Sequence, residues 1–195
     1  MNIIDMKYKW NGNLAKRNAT KYIIIHHRAG NGDAESIHNL HLTWGWTGFG
    51  YHFYVRKDGS VYRGRPIEMV GAHCKGQNSY SVGICFEGNF ENEKMSDAQM
   101  KAGQELVSYI KKIYPNVDVK GHRDFDATAC PGKNFPFDKI KKGTTTAKLT
   151  SAKDIIKKLS EQIEIQEVDK AVKALEQAKK EESSLYWILY KIVNK

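Results

Sequence analysis

The chain has 195 residues and a mass of 22.2 kDa, with 41% apolar, 11% aromatic and 27% charged residues and a mean hydropathy of −0.59. Those values suit one globular domain, or one domain with a small appendage, and exclude wholesale disorder and collagen-like repeats. Lys and Arg outnumber Asp and Glu by 31 to 22, giving a net charge of +9 that draws anionic partners such as nucleic acid or a cell-wall polymer without choosing between them.

The N-terminus, Met1-Asn2-Ile3-Ile4-Asp5, lacks a basic stretch followed by a long apolar run, so no export signal is expected and the product is expected to be cytoplasmic when made. The longest aliphatic run is Ile23-Ile24-Ile25, and no membrane span is expected. Tyr22 to His26 reads as a buried β-branched strand. Asp33 or Ser36 can cap a helix that presents Ile37, Leu40, His41 and Trp44 on one face. Tyr51–Arg56 and Ser60–Arg63 flank Lys57-Asp58-Gly59 and predict a hairpin. Ser81 to Glu87 reads as a strand. Ser96-Asp97-Ala98-Gln99 has the capping-box pattern and opens a helix with Met100, Leu106, Val107, Ile110 and Ile113 inward. Gly103 inside that helix costs about 1 kcal/mol against Ala, which points to close packing. Tyr114-Pro115-Asn116 ends the helix, and Val117 to Lys120 is a further strand.

These elements predict an α/β domain over residues 1–142, with a mixed central sheet flanked by helices. Residues 143–150 read as a linker. Residues 151–195 read as a small all-helical module of three segments, carrying Ile155, Ile156 and Leu159, then Val168, Val172 and Leu175, then Leu185, Ile188, Leu189 and Ile192. The last segment adds Tyr186, Trp187 and Tyr190, so it is expected to bury a second face against the first domain, another copy in a homo-oligomer, or a ligand, with wall binding or self-association as its expected role.

Three cysteines, Cys74, Cys85 and Cys130, are an odd number and not a disulfide framework; buried or metal-binding thiols are expected. Of seven histidines, His26 and His122 sit where strands end, and Cys130 follows eight residues after His122. Imidazole and thiolate suit zinc, and three protein ligands are the hydrolytic pattern. By spacing alone other trios, such as His38, His41 and Cys74, are equally open. A zincin helix is excluded, because His38 and His41 are three apart and Asn39 stands where the glutamate would be.

Eight motifs in order sharpen this. They are Ile23-Ile24-Ile25-His26-His27, Gly45 to Phe53, Lys57-Asp58-Gly59, Gly64-Arg65-Pro66, Gly71-Ala72-His73, Ser81-Val82-Gly83-Ile84, Gly121-His122-Arg123 and Ala129-Cys130-Pro131-Gly132. Over about residues 20–140 the chain resembles the zinc-dependent N-acetylmuramoyl-L-alanine amidases of type 2, which include amidase-type phage lysozymes and peptidoglycan recognition proteins. The resemblance implies a zinc cleft on one face of the sheet, with zinc held by His26, His122 and Cys130. It implies cleavage of the amide between N-acetylmuramic acid and L-alanine of peptidoglycan. Tyr51 takes the place of the active-site tyrosine, and Thr128 stands where relatives carry lysine or threonine. His73 is expected to touch substrate, with Trp46, Asn78 and Arg65 as further candidates at the muropeptide. One recycling branch has a glutamate where this chain has Cys85, leaving Glu87 as an alternative base. An amide is a poor electrophile and water a poor nucleophile; zinc chemistry addresses both. The resemblance implies an endolysin released onto the wall. The alternatives are an intracellular muropeptide-recycling amidase, which Cys85 disfavours, and a non-catalytic peptidoglycan-binding module, which Cys130 disfavours. No nucleic-acid recognition motif is present.

Overall fold

The Ile23–Ile25 run forms an interior strand of a six-stranded sheet in the computed structural model, which describes residues 2–144 and 168–181. Among these are strands β1 (Ile3–Asp5), β2 (Tyr22–His27), β3 (Phe53–Val55), β4 (Val61–Arg63), β5 (Ser81–Phe86) and β6 (Asp118–Gly121). They pair in the order β1-β4-β3-β5-β2-β6, and every pair is parallel except β3–β4. The helices are α1 (Ala34–Thr43), α2 (Asp97–Ile113), α3 (Phe137–Lys142) and α4 (Val168–Lys180). Contacts divide the chain into a unit of Met1–Thr144 and a second of Thr145–Lys195. No helix among the described residues is long and apolar enough to cross a membrane.

All three isoleucines of β2 are 0% exposed, because the strand is paired on both edges and covered on both faces. Ile23 and Ile25 face α2 and α3, where they meet Leu106, Val107, Ile110 and Ile140. The opposite face carries Tyr54 and Cys85 and is covered by Ala34 and Ile37 of α1 with Phe49. The predicted hairpin forms between β3 and β4, with Gly59 at φ +86° in its turn.

Gly103 packs as its position in α2 predicted. A Cβ there would lie 2.7 Å from the Phe86 ring and 2.9 Å from Ile140 Cδ1. Ser96 caps α2 by accepting from Gln99 N–H at 3.1 Å. The expected reciprocal arm is not made. The Gln99 side chain is 0% exposed, and its amide donates to Val55 O at 3.0 Å and Glu87 O at 2.9 Å, tying α2 to two strand ends. Ile113, expected inward, is exposed because α2 ends at the edge of the core.

The face predicted for α1 is also corrected. Asp33 is the cap, accepting from Ser36 N–H at 2.7 Å. The buried residues are Ala34, Ile37, His38 and His41, while Leu40 and Trp44 are exposed. Two imidazoles win inward positions over leucine and tryptophan because the following loop needs acceptors. His38 Nδ1 accepts from Phe49 N–H at 3.1 Å, and His41 Nδ1 accepts from Gly50 N–H at 2.9 Å. Edge strand β1, α3 and the 3-10 turns Asn78–Tyr80 and His122–Asp124 lie outside the predicted elements. In the C-terminal segment α4 matches the middle predicted helix. The linker from residue 145 and the two flanking helices, with Tyr186, Trp187 and Tyr190, lie outside the described residues.

Two of the buried histidines predict how stability follows pH. Burial pushes His52 down to about 3 and His41 down to about 4. Histidines of the unfolded chain protonate near 6.5, so it takes up protons first. Stability from these groups is fully present above that pH and is lost as pH falls toward 4. Urea midpoints should therefore drop between pH 7.5 and pH 4.5; a flat midpoint over that interval would contradict the burial assigned to both rings.

Candidate metal centre and cleft

Because β2, β5 and β6 run parallel and in step, the residues after them meet in one corner. His26 pairs with Cys85 of β5, and Ile25 pairs with Gly121 of β6. His122, the next residue, therefore lies beside His26, with ring centroids 4.5 Å apart. The chain then turns back. Arg123 N–H donates to Cys130 O at 3.0 Å, and Arg123 Nη2 donates to Gly132 O at 2.9 Å. Thr128 Oγ1 accepts from Cys130 N–H at 3.2 Å and shapes the approach of the thiol. Cys130 Sγ accepts from His27 N–H at 3.4 Å and lies 3.9 Å from His26 Nδ1.

One ligand atom each from His26, His122 and Cys130 lie within 4.8 Å of one another. The competing trio does not assemble, since His38 and His41 are spent on the loop and Cys74 is elsewhere in the cleft wall. Burial holds His26 well below the ordinary imidazole range, the neighbouring His122 and His27 adding to it. His122 is lowered by burial, with Asp126 opposing. Both rings are thus neutral near pH 7 and offer lone pairs. Burial pushes the Cys130 thiol up to about 11, against the His27 N–H and Arg123. Two neutral imidazoles and one thiol form a nitrogen–sulfur donor set that suits zinc-type transition metals rather than the oxygen-seeking magnesium or calcium.

Tyr51 precedes β3, and its ring lies 5.2 Å from that of His26 and 5.8 Å from that of His41. Burial holds its hydroxyl well above the usual phenol range, with the Cys85 and Cys130 thiols adding to the effect, so it remains a donor. Beside the corner opens a cleft of about 610 Å³, whose walls include Trp46, Thr47, Arg65, His73, Asn78 and His122. Trp46 presents a part-exposed ring, 4.8 Å from His41 and 5.2 Å from Trp44.

Other sequence-predicted residues are committed to the wall itself. Arg65 Nε donates to Phe49 O at 2.7 Å and its Nη1 to Val70 O at 2.7 Å. Asn78 Oδ1 accepts from His73 N–H at 2.8 Å and Cys74 N–H at 3.0 Å. Glu87 is removed as a base. It is 5% exposed and accepts from Gly32 N–H, Lys57 N–H and Arg56 Nε at 3.1 to 3.2 Å. The cysteines are all free, and Cys74 and Cys85 are buried with raised thiol pKa values, first by burial. Sequence reasoning missed Asp126 and Ser81. Asp126 Oδ2 lies 3.7 Å from His122 Nε2 and lines the cleft; a carboxylate four residues after a candidate ligand was the available signal.

A model of the N-acetylmuramoyl-L-alanine amidases matches residues 16–133, which take in β2 to β6, all three converging side chains and the cleft. The chain belongs to the N-acetylmuramoyl-L-alanine amidase family. It is 34% identical over 150 residues to peptidoglycan-recognition protein SC2 of Drosophila melanogaster, covering 68% of this chain and 82% of that one. To the endolysin of Klebsiella phage KP32 it is 35% identical over 125 residues, covering 60% of this chain and 83% of the other. Among solved structures, the endolysin N-acetylmuramoyl-L-alanine amidase LysCS from Clostridium intestinale superposes with a TM-score of 0.70 at 41% identity, over 72% of this chain and 93% of that one.

Convergence of three donors predicts that zinc stabilises this amidase-family chain. At a hundredfold excess over Kd the gain is about 2.7 kcal/mol, read as a rise in thermal midpoint. Cys130→Ala should erase the rise. An equal zinc-induced rise in wild type and Cys130→Ala would show that the metal binds elsewhere.

Proposed function

We propose that the chain is a zinc-dependent peptidoglycan hydrolase that cleaves the amide between N-acetylmuramic acid and the L-alanine of the stem peptide. What carries this reading is the meeting of His26, His122 and Cys130 beside an open cleft in a chain of the amidase family. Three protein donors, where a structural zinc takes four, is the donor count of hydrolytic sites. A zinc ion there supplies Lewis acidity for the carbonyl and lowers the pKa of a water toward ~7.

The chain's own groups supply the rest. Tyr51 keeps its proton and donates a hydrogen bond to the oxygen that gains charge as the carbonyl becomes tetrahedral. Thr128, whose oxygen already accepts from Cys130 N–H, has its own proton to donate at the same corner. Trp46 gives the muropeptide an apolar wall, and the Asn78 amide nitrogen is the polar contact there, its oxygen being engaged by the loop. Arg65 acts by fixing that wall. The endolysin relatives support a role in wall lysis after release. A pure recognition module is less favoured because the Cys130 thiol is retained. The recycling reading is less favoured because buried Cys85 offers no carboxylate and Glu87 is occupied. For residues 151–195 we assign wall binding through Tyr186, Trp187 and Tyr190, with self-association as the alternative.

Digestion of purified sacculi should release free L-alanine amino termini without new reducing ends. A chelator should stop the reaction and zinc should restore it. Tyr51→Phe should lower kcat by about 10²- to 10³-fold. New reducing ends in place of amino termini would make the chain a glycosidase and refute the proposal. Trp187→Ala in the full chain should weaken sedimentation with walls while leaving hydrolysis of soluble muropeptide intact; undiminished sedimentation would remove the wall-binding role.

A further inference from the structure

His73, expected to touch substrate, lines the cleft, and most of its ring is packed against this chain. It is 9% exposed. A Cβ on either Gly71 or Gly83 would collide with its Cδ2, so both positions leave room for the imidazole. Asn78 fixes its backbone through two N–H groups. The ring stands edge-on to His26, with centroids 5.1 Å apart.

The hydrogen bonds run in one direction. Ser81 Oγ donates to Gln77 O at 2.8 Å, because a carbonyl can only accept. The Ser81 oxygen can then accept from His73 Nε2–H, 3.4 Å away. A neutral imidazole carries one N–H, so with Nε2 protonated His73 Nδ1 is an acceptor. It lies 3.1 Å from His26 Nε2, which must therefore be the donor. That leaves the lone pair of His26 on Nδ1, the nitrogen facing Cys130 Sγ. One main-chain carbonyl thus sets, through a hydroxyl and one imidazole, the tautomer of a second.

We propose that His73 is a positioning residue, which with Ser81 fixes the ring and tautomer of His26 so that Nδ1 faces the metal corner. The inference rests on the zinc reading of that corner and adds to it a determinant of metal affinity. Ligating histidines ordinarily give their second N–H to a carboxylate, carbonyl or water. Here a second histidine takes that place, itself largely buried at the edge of the cleft.

The test uses the full chain, freed of metal, with zinc affinity measured by competition against a chromophoric chelator. His73→Phe, which keeps the ring volume and removes the acceptor, should weaken zinc by about 10- to 100-fold. His73→Gln, whose amide oxygen can accept the same proton, should recover much of that loss, and Ser81→Ala should give a smaller one. In nitrogen-15 spectra of the metal-free wild type, His26 should carry its proton on Nε2. A residue that only touched muropeptide would raise KM and leave zinc affinity alone, and one that only supported the fold would lower the thermal midpoint without the Gln rescue. Zinc affinity unchanged in folded His73→Phe and Ser81→Ala, or a His26 proton on Nδ1 in the metal-free wild type, would overturn the inference. The spectra and the Ser81→Ala variant decide even if His73→Phe fails to fold. Absence of zinc binding by the wild type would overturn the parent reading as well, whereas equal binding by wild type and all variants would overturn this inference alone.

Discussion

The site depends on the in-step parallel pairing of β2 with β5 and β6. Side chains alternate between the two faces of a strand, so a shift of β2 by one residue would send His26 toward α2 and bring Ile25 or His27 to the corner. Ile23, Ile24 and Ile25 resist that shift because each is fully buried, with Ile24 on one face and its neighbours on the other. Burying one such side chain is worth about 1.5–3 kcal/mol. The pairing also explains why ligands separated by 104 positions meet: His26 leaves the strand between β5 and β6 while the chain leaving β6 is already alongside.

Around this frame, polar side chains do what short loops cannot do for themselves. Five of the seven histidines are buried, and backbone groups partner three of them. His38 and His41 take N–H groups of the 48–50 loop, while His52 accepts from Gly83 N–H at 2.9 Å and lies 2.8 Å from Met69 O. Arg17, also buried, donates to Met69 O at 2.7 Å and Ile67 O at 2.6 Å and ties the segment before β2 to the loop after β4. Such groups are tolerated inside because their hydrogen bonds are satisfied. They also hold Tyr51 and Trp46 at fixed positions on the cleft, which links the unusual histidine content to the geometry of the site.

The sheet was legible in the sequence wherever apolar patterning was strong: β2, β5, the β3–β4 hairpin and α2. What escaped was short or decided at a distance. β1 has three residues and owes its place to pairing with Val61–Arg63 across the chain. The inward face of α1 was read correctly at Ile37 and His41 but not at Leu40 and Trp44, which are more apolar than the buried His38, and only the loop that the histidines serve reveals the preference. Gln99 fits a local capping pattern but answers two carbonyls of other strands. In the site, the ligand trio followed from family resemblance rather than spacing, since several trios were equal by arithmetic. Asn78 and Arg65 were singled out, yet their hydrogen bonds to the cleft wall needed coordinates. Ser81 stood in the sequence only as the start of a strand motif, because a serine that opens a strand looks like a solvated one until the ring above it is seen.

The central claim is that one metal ion sits between two imidazoles and one thiolate. X-ray absorption at the zinc edge of the purified, zinc-loaded chain measures this directly. The account predicts one zinc per chain, with one sulfur at ~2.3 Å and two imidazole nitrogens at ~2.0–2.1 Å. A spectrum with no sulfur scatterer, or with several, would contradict it.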